Sequence, residues 1–391
     1  MTLIQCLTRS LPLVLLLSAT ALCPAQIVIS GNENKVDLTG GGQKVVPNAP
    51  PDSISILDFA QFPPKVTTLD NVPNTVVGPP SNIAIHPSGR MALISNSLKL
   101  DPTTSAGTSP ETFVHVLDLS ASPPKVVGKV EAGLQPSGIS FTPDGKHALV
   151  ADRAGGTVAV LAVDGANVKP AQMLKVAEPA ESVSDVAVSP DGKLALASVQ
   201  KSGYLALLNI DDAGRVSFTG RKFSTYGQPY RVVITPDGEL AVTAGQGFGN
   251  GLDQDALTII DLKAAPGPRT TAYVPVGTVP ESLELSPDGR LCAVVVMEGS
   301  NTAADNPIHS GAGAVVILER TGRSFAVVQK IPVGRIPEGV AFTGDGKYLL
   351  VQCHPDRKIW VFRVNAGRVE DSGVRIDVPG MPSSLRALVK H

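Results

Sequence analysis

The sequence predicts an all-β chain: a seven-bladed β-propeller of four-stranded antiparallel blades, its ring closed by N- and C-terminal strands in one shared blade. Three observations carry that prediction. An apolar stretch, a Ser/Thr-Pro-Asp-Gly turn and a second apolar stretch recur, as in Ile139 to Thr142 before Pro143-Asp144-Gly145 and in Val186-Ala187-Val188-Ser189-Pro190-Asp191-Gly192. The repeats start at Pro80, Pro136, Val183, Pro229, Pro280, Pro337 and Pro382, intervals of 45 to 57 residues that suit a radial array of short strands. The last repeat, Pro382-Ser383-Ser384-Leu385, supplies only a first strand.

Residues 1–25 read as a secretory signal peptide, leaving 26–391 for the propeller. Arg9 is a positive n-region, Leu11 to Ala21 an apolar core too short to span a bilayer, and Cys23-Pro24-Ala25 a small-residue cleavage site. Leu22 is bulky where a lipoprotein signal wants a small residue, which argues against lipid anchoring at Cys23. No later apolar run reaches the ~20 residues of a membrane helix. The expected location is outside the cytoplasm, periplasmic or extracellular.

After the leader, Ile27 to Ser30, Ser53 to Leu57 and Val66 to Leu69 read as second, third and fourth strands without a first. Ser383 to Leu388 supplies it, so one blade is sewn from both termini and no open edge remains. The unit from Pro136 shows a whole blade. Ser137 to Thr142 alternates as a strand; in the turn, Pro presets φ, Asp bonds the backbone ahead and Gly takes the left-handed position. His147 to Asp152 returns, Thr157 to Val163 is a third strand, and a fourth lies around Gln172 to Val176. Third strands recur at Leu205 to Ile210, Leu257 to Leu262, Val315 to Leu318 and Ile359 to Val364.

The 33 Lys and Arg against 35 Asp and Glu leave a net charge of −2, without the clustered basic excess that nucleic acid requires. Aromatic residues are only 4%, so the core is expected to be Val, Leu, Ile and Ala. Cys292 lies five residues after its turn Pro287, and Cys353 nine after the equivalent Gly344. On adjacent strands that offset is about 13 Å at ~3.3 Å per residue, too far to bridge, so two buried free thiols are expected.

The pattern Pro-x-Gly-Val/Ile-x-Phe-Thr/Ser-Pro-Asp-Gly-Lys followed by a Tyr-Val-Thr-Asn-like strand is similar to the YVTN-type seven-bladed propeller repeats, relatives of the lactonase-family propellers (6-phosphogluconolactonase and muconate-cyclase-like). Pro136 to Asp152 and Pro337 to Cys353 carry it best. The naming strand departs here to Leu93-Ile94-Ser95-Asn96 and Leu149-Val150-Ala151-Asp152. The resemblance implies an extracytoplasmic propeller, and in some lactonase-type relatives the hydrolysis or formation of lactones. It supplies no catalytic motif to transfer.

First strands begin and second strands end on one face, which also carries three long connections, roughly 98–111, 245–255 and 299–314. Long loops beyond what the fold needs point to function, so a site is expected there, at the mouth of the central channel. Ten positions after the turn proline stand Ser97, Arg153, Gln200, Gln246, Met297 and His354, with Asn32 equivalent and Glu298 adjacent. The strand entries are Ser81, Ser137, Ser184, Tyr230, Glu281, Glu338 and Ser383. Polar strand ends suit any propeller surface, but together these suit a carboxylated or hydroxylated ligand. The register held by Ala84, Ser140, Ala187, Val233 and Ala341 carries Glu284 and Arg386 in two copies, opposite charges next to the channel, either a ring-locking pair or channel-lining groups.

The primary expectation is a propeller that binds a small molecule or an envelope protein at this mouth. Arg153, Gln200, Gln246, Tyr230, Arg231, Arg386 and Asn32 are its ligand-binding candidates. The alternatives are a lactone hydrolase or lactonising enzyme, with Glu281, Glu338, Glu298 or His354 as base and Arg153, Arg231 or Arg386 holding the oxyanion, or a structural envelope scaffold. No cofactor or metal is expected: Cys-x-x-Cys-His is absent, the histidines lack ligand spacing, and the glycines of 245–249 precede no helix.

Overall fold

The computed structural model describes residues 26–249 and 251–388; the expected leader lies outside them. Seven four-stranded antiparallel sheets form the ring. We number blades by the chain order of their innermost strands: Ile83–Ile85, Pro136–Phe141, Val183–Val188, Gln228–Ile234, Pro280–Leu285, Pro337–Phe342 and Met381–Ala387. Blade 7 is the sewn one. Its C-terminal inner strand pairs with Ile27–Glu33, followed outward by Ser53–Asp58 and Lys65–Asp70. Arg386 sits opposite Ile29 in that ladder. The expected fold and ring closure are therefore present. Among the described residues no helix is long and apolar enough to cross a membrane.

The repeated turn is built as its residues dictate. Thr142 Oγ1 donates to Asp144 Oδ1 at 2.7 Å, the Lys146 N–H donates to the same oxygen at 3.0 Å, and Gly145 takes φ 71°. The Ser189–Asp191 and Thr343–Asp345 pairs repeat the geometry at 2.6 and 2.7 Å. In blade 1 His86 replaces the hydroxyl residue: its Nδ1 accepts the Ser88 N–H at 3.1 Å, and its other ring nitrogen lies 3.0 Å from the Gly145 carbonyl of blade 2.

Seven apolar clusters fill the ring, one at each interface between neighbouring blades. Second strands such as Met91–Ser95 are buried along their whole length, which explains aliphatic runs where a one-sided sheet would alternate. Cys292 and Cys353 are both buried and free, and burial pushes both thiols up. Neither is expected to take up a thiol reagent in the native protein at pH 8, and both should label after unfolding. Mass spectrometry of the labelled peptides reads this directly, and labelling of either one in the native state would contradict the packing.

Candidate functional site

The face that carries strand entries is part roofed and part open. Two small hairpins rise from it, Val36–Asp37 with Lys44–Val45 and Leu98–Leu100 with Thr108–Pro110. Val36, Val76 and Val77 bury one another there, with Leu38 and Leu98 against them. The segment 72–82 runs beneath this roof and is almost wholly buried. One buried acid pins it. Glu33 accepts the N–H groups of Val36 at 2.8 Å and Val76 at 3.0 Å, while Lys35 pairs with Asp52 and donates to the Asn74 carbonyl at 2.6 Å. The long connections touch in series. A Cβ on Gly107 would lie 3.4 Å from Val45 Cγ1, one on Gly41 3.8 Å from the Ala303 nitrogen, and one on Gly251 3.0 Å from Ile308 Cδ1. Blades 2 and 3 have only the short connections 153–156 and 200–203, so this wall is low where Arg153 and Gln200 stand.

On the open side the entries of inner strands and the ends of second strands bring together seven of the expected residues: Arg153, Ser184, Gln200, Tyr230, Gln246, Glu281 and Glu338. Arg153 Nη1 donates to Ser184 Oγ at 2.6 Å, and Ser184 Oγ donates to Gln200 Oε1 at 3.1 Å. The Arg153 guanidinium lies 5.9 Å from the Tyr230 ring centre. Gln246 Nε2 donates to Glu281 Oε2 at 3.0 Å. Arg153, Gln200 and Gln246 are partly exposed, whereas Tyr230, Glu281 and Glu338 are buried. Burial pushes the Glu281 carboxyl up to about 8, against the pull of Gln246 and Arg153. Glu338 is raised well above the carboxylate range by burial, with Glu281 and Glu33 adding repulsion, and among the described residues neither of its oxygens has a hydrogen-bond partner. Tyr230 is raised by burial and by Glu281, and its hydroxyl meets the backbone of Gly78. The arrangement is a carboxyl that titrates near neutrality beside a guanidinium and two amides, a combination suited to proton transfer and oxyanion stabilisation.

The other expected residues lie elsewhere. Asn32 is buried inside blade 7, its amide donating to Ser55 Oγ at 3.0 Å. His354 is sealed near the first hairpin. Its Nδ1 lies 3.0 Å from the Pro382 carbonyl, and burial lowers it to about 4, so it is neutral. Glu298 reaches outward to Lys330 of an outermost strand at 3.0 Å. Arg231 is not at the mouth but inside the channel, fully buried; it hydrogen-bonds Glu284 and donates to Ser282 Oγ at 3.2 Å. Arg386 joins this group, its Nη1 3.5 Å from Glu284 Oε2. Asp185 escapes the sequence pattern altogether. This buried acid accepts Ser81 Oγ at 2.8 Å and the Val232 N–H at 2.9 Å, and burial raises it. Gly138 has no side chain where a Cβ would overlap Asp185.

The family model described as Lactonase, 7-bladed beta-propeller matches residues 36–227, just under half of the chain. No curated protein matches. Among solved structures, a Bacteroides uniformis protein provisionally named a 6-phosphogluconolactonase is 17% identical with a TM-score of 0.68, the match spanning 93% of this chain and 99% of that one. The periplasmic gluconolactonase of Pseudomonas aeruginosa is 18% identical with a TM-score of 0.65, spanning 93% and 100%. Hydrazine synthase of Kuenenia stuttgartiensis is 19% identical with a TM-score of 0.61, spanning 81% and 94%, so the same fold also accompanies a different chemistry. By fold over nearly all its length the chain is a seven-bladed β-propeller, and over residues 36–227 its sequence is similar to the lactonase propellers.

Proposed function

We propose that the protein hydrolyses lactones of sugar acids or related carboxylated compounds at the open side of the strand-entry face. The observation that carries this reading is Glu281, a carboxyl pushed up to about 8 at the channel mouth, within electrostatic reach of the Arg153 guanidinium. The lactonase family match and the names of two structural relatives support it. The leader-like residues 1–25 and the periplasmic location of the Pseudomonas relative support an exported protein. The copies Pro136 to Asp152 and Pro337 to Cys353 support a YVTN-type repeat, although their naming strand departs from Tyr-Val-Thr-Asn.

In the proposed reaction Glu281, as carboxylate, takes a proton from water as the water oxygen bonds to the lactone carbonyl carbon. Arg153 holds the oxyanion of the tetrahedral intermediate. That intermediate collapses as the ring C–O bond breaks, and the leaving oxygen takes the proton back from Glu281, giving the hydroxy acid. Gln246 holds the Glu281 carboxyl in place. Glu338, buried and without a partner among the described residues, is a positioning residue that opposes a second negative charge.

The test is hydrolysis of aldonolactones followed by proton release, for wild type, Glu281→Gln and Arg153→Gln. Wild type should exceed the uncatalysed rate and gain activity as pH rises through about 8. Each variant should lose about 10²-fold or more in kcat, as expected for removal of a general base or an oxyanion partner. Absence of turnover in wild type overturns the reading. So does a wild-type rate in Glu281→Gln.

A further inference from the structure

A cavity on the ring axis opens on the opposite face, between the Pro-Asp-Gly turns. It has a volume of about 150 Å³. Ala84, Ser140, Ala187 and Val233 form its walls, and among the described residues Glu284 and Arg386 are its only charged lining residues. All six hold the same register of their strands, so two charged copies face four small or apolar ones.

The channel holds two guanidiniums, Arg231 and Arg386, against two carboxylates, Glu284 and Asp185, but the hydrogen bonds are shared unevenly. Glu284 Oε2 is engaged by Arg231, and the same oxygen is the one 3.5 Å from Arg386 Nη1. One carboxylate thus serves two guanidiniums. Asp185, the other acid nearby, is committed to Ser81 and the Val232 N–H. Arg386 makes no hydrogen bond among the described residues, although a guanidinium carries five donors, and its side chain is 24% exposed where it lines the cavity. Burial and the neighbouring Arg231 both weigh against its charge, with Glu284 and Asp185 opposing them. A bound anion would supply what this pair lacks.

We propose that the turn-face cavity is a second ligand site, distinct from the strand-entry mouth, which binds a small monocarboxylate through Arg386. A planar carboxylate matches the guanidinium fork with two parallel hydrogen bonds, and its aliphatic body fits against Ala84, Ala187 and Val233. A single guanidinium fork with unused donors favours one planar carboxylate. A phosphate dianion would bring a second charge to a wall with no other cation among the described residues and with Glu284 beside it.

The test is calorimetric titration of the full mature chain with propionate and lactate, with propionamide and inorganic phosphate as comparisons. Wild type should bind the monocarboxylates saturably, and phosphate and the amide at least about tenfold more weakly. Arg386→Gln should lose binding. Because that change also touches the ion pair, Ala187→Leu provides the independent variant: it fills the cavity, leaves the charges in place and should also abolish binding. Arg153→Gln should bind as wild type does. No saturable binding by wild type, or unchanged affinity in Ala187→Leu, overturns the site. Loss of binding in Arg153→Gln moves the ligand to the other face and overturns it equally. Phosphate binding as tight as lactate overturns the preference for monocarboxylates.

Discussion

Glu284→Gln is expected to lower the unfolding free energy by about 3–5 kcal/mol, the range for breaking a buried ion pair by removing one partner. The side chain keeps its size, so the loss is electrostatic. Arg231 has no solvent exposure and would keep only Ser282 Oγ and the Val340 carbonyl as acceptors, at 3.2 and 3.5 Å. Its charge would then face Arg386 with only Asp185 left to offset the two. Two like charges in a low-dielectric interior repel more than either can recover from neutral acceptors. Adding Arg386→Gln removes that repulsion and should return a large part of the stability. Urea titration of wild type, both single variants and the double variant checks this as a double-mutant cycle. A cycle that closes with no coupling would mean that Glu284 and Arg386 act independently.

These two charges are legible in the sequence because the register of the first strands holds from blade to blade. The Ser/Thr-Pro-Asp-Gly turn fixes where each strand ends, so Glu284 and Arg386 fall where Ala84 and Ala187 fall, and all four line the cavity. The same logic places Tyr230, Glu281 and Glu338 at one end of the ring. It fails for Asp185 for a definite reason. The ladder slips between Val183 and Asp185, and again between Pro229 and Val232 and between Pro280 and Ser282. Asp185 and Arg231 stand two residues before Ala187 and Val233, on the same side by simple alternation, but the irregular ladder there leaves their depth in the channel unreadable from spacing. Sequence spacing therefore marks Arg231 as a candidate but assigns it to the wrong depth.

The roof is illegible for another reason. Residues 34–52 and 72–82 have no periodicity to read, and what pins them is a set of single contacts to Glu33, Lys35 and Asp52, some of them between residues far apart in the chain. Nothing in the spacing of His354 announces that a hairpin from the other end of the chain will bury it. Strand patterns encode the scaffold, whereas the depth of a site depends on which insertion covers it.

Glu281→Gln is expected to make the protein more stable at pH 8 while removing lactone turnover, and the gain should shrink toward pH 5. The sign follows from the direction in which burial moves the carboxyl. Its ordinary value is 4.5 and the folded state raises it to about 8, so the folded protein prefers the protonated form. The stability tied to that proton is complete below about 4.5, is lost as pH rises through the window up to about 8, and is constant beyond it. A tenfold change in proton affinity corresponds to about 1.4 kcal/mol, so ionising this site costs on the order of a few kcal/mol. Glu338 is raised in the same direction by burial and by Glu281, so the titration belongs to the pair and not to either residue. A glutamine at 281 cannot ionise and also removes the repulsion felt by Glu338. Chemical unfolding of wild type and variant at intervals from pH 5 to pH 9 should give curves that diverge with rising pH. Parallel curves would mean that Glu281 is ionised throughout, and would remove the near-neutral base on which the proposed hydrolysis depends. Diverging curves with no loss of turnover would instead separate the buried charge from the chemistry, leaving Arg153 and the amides to account for it.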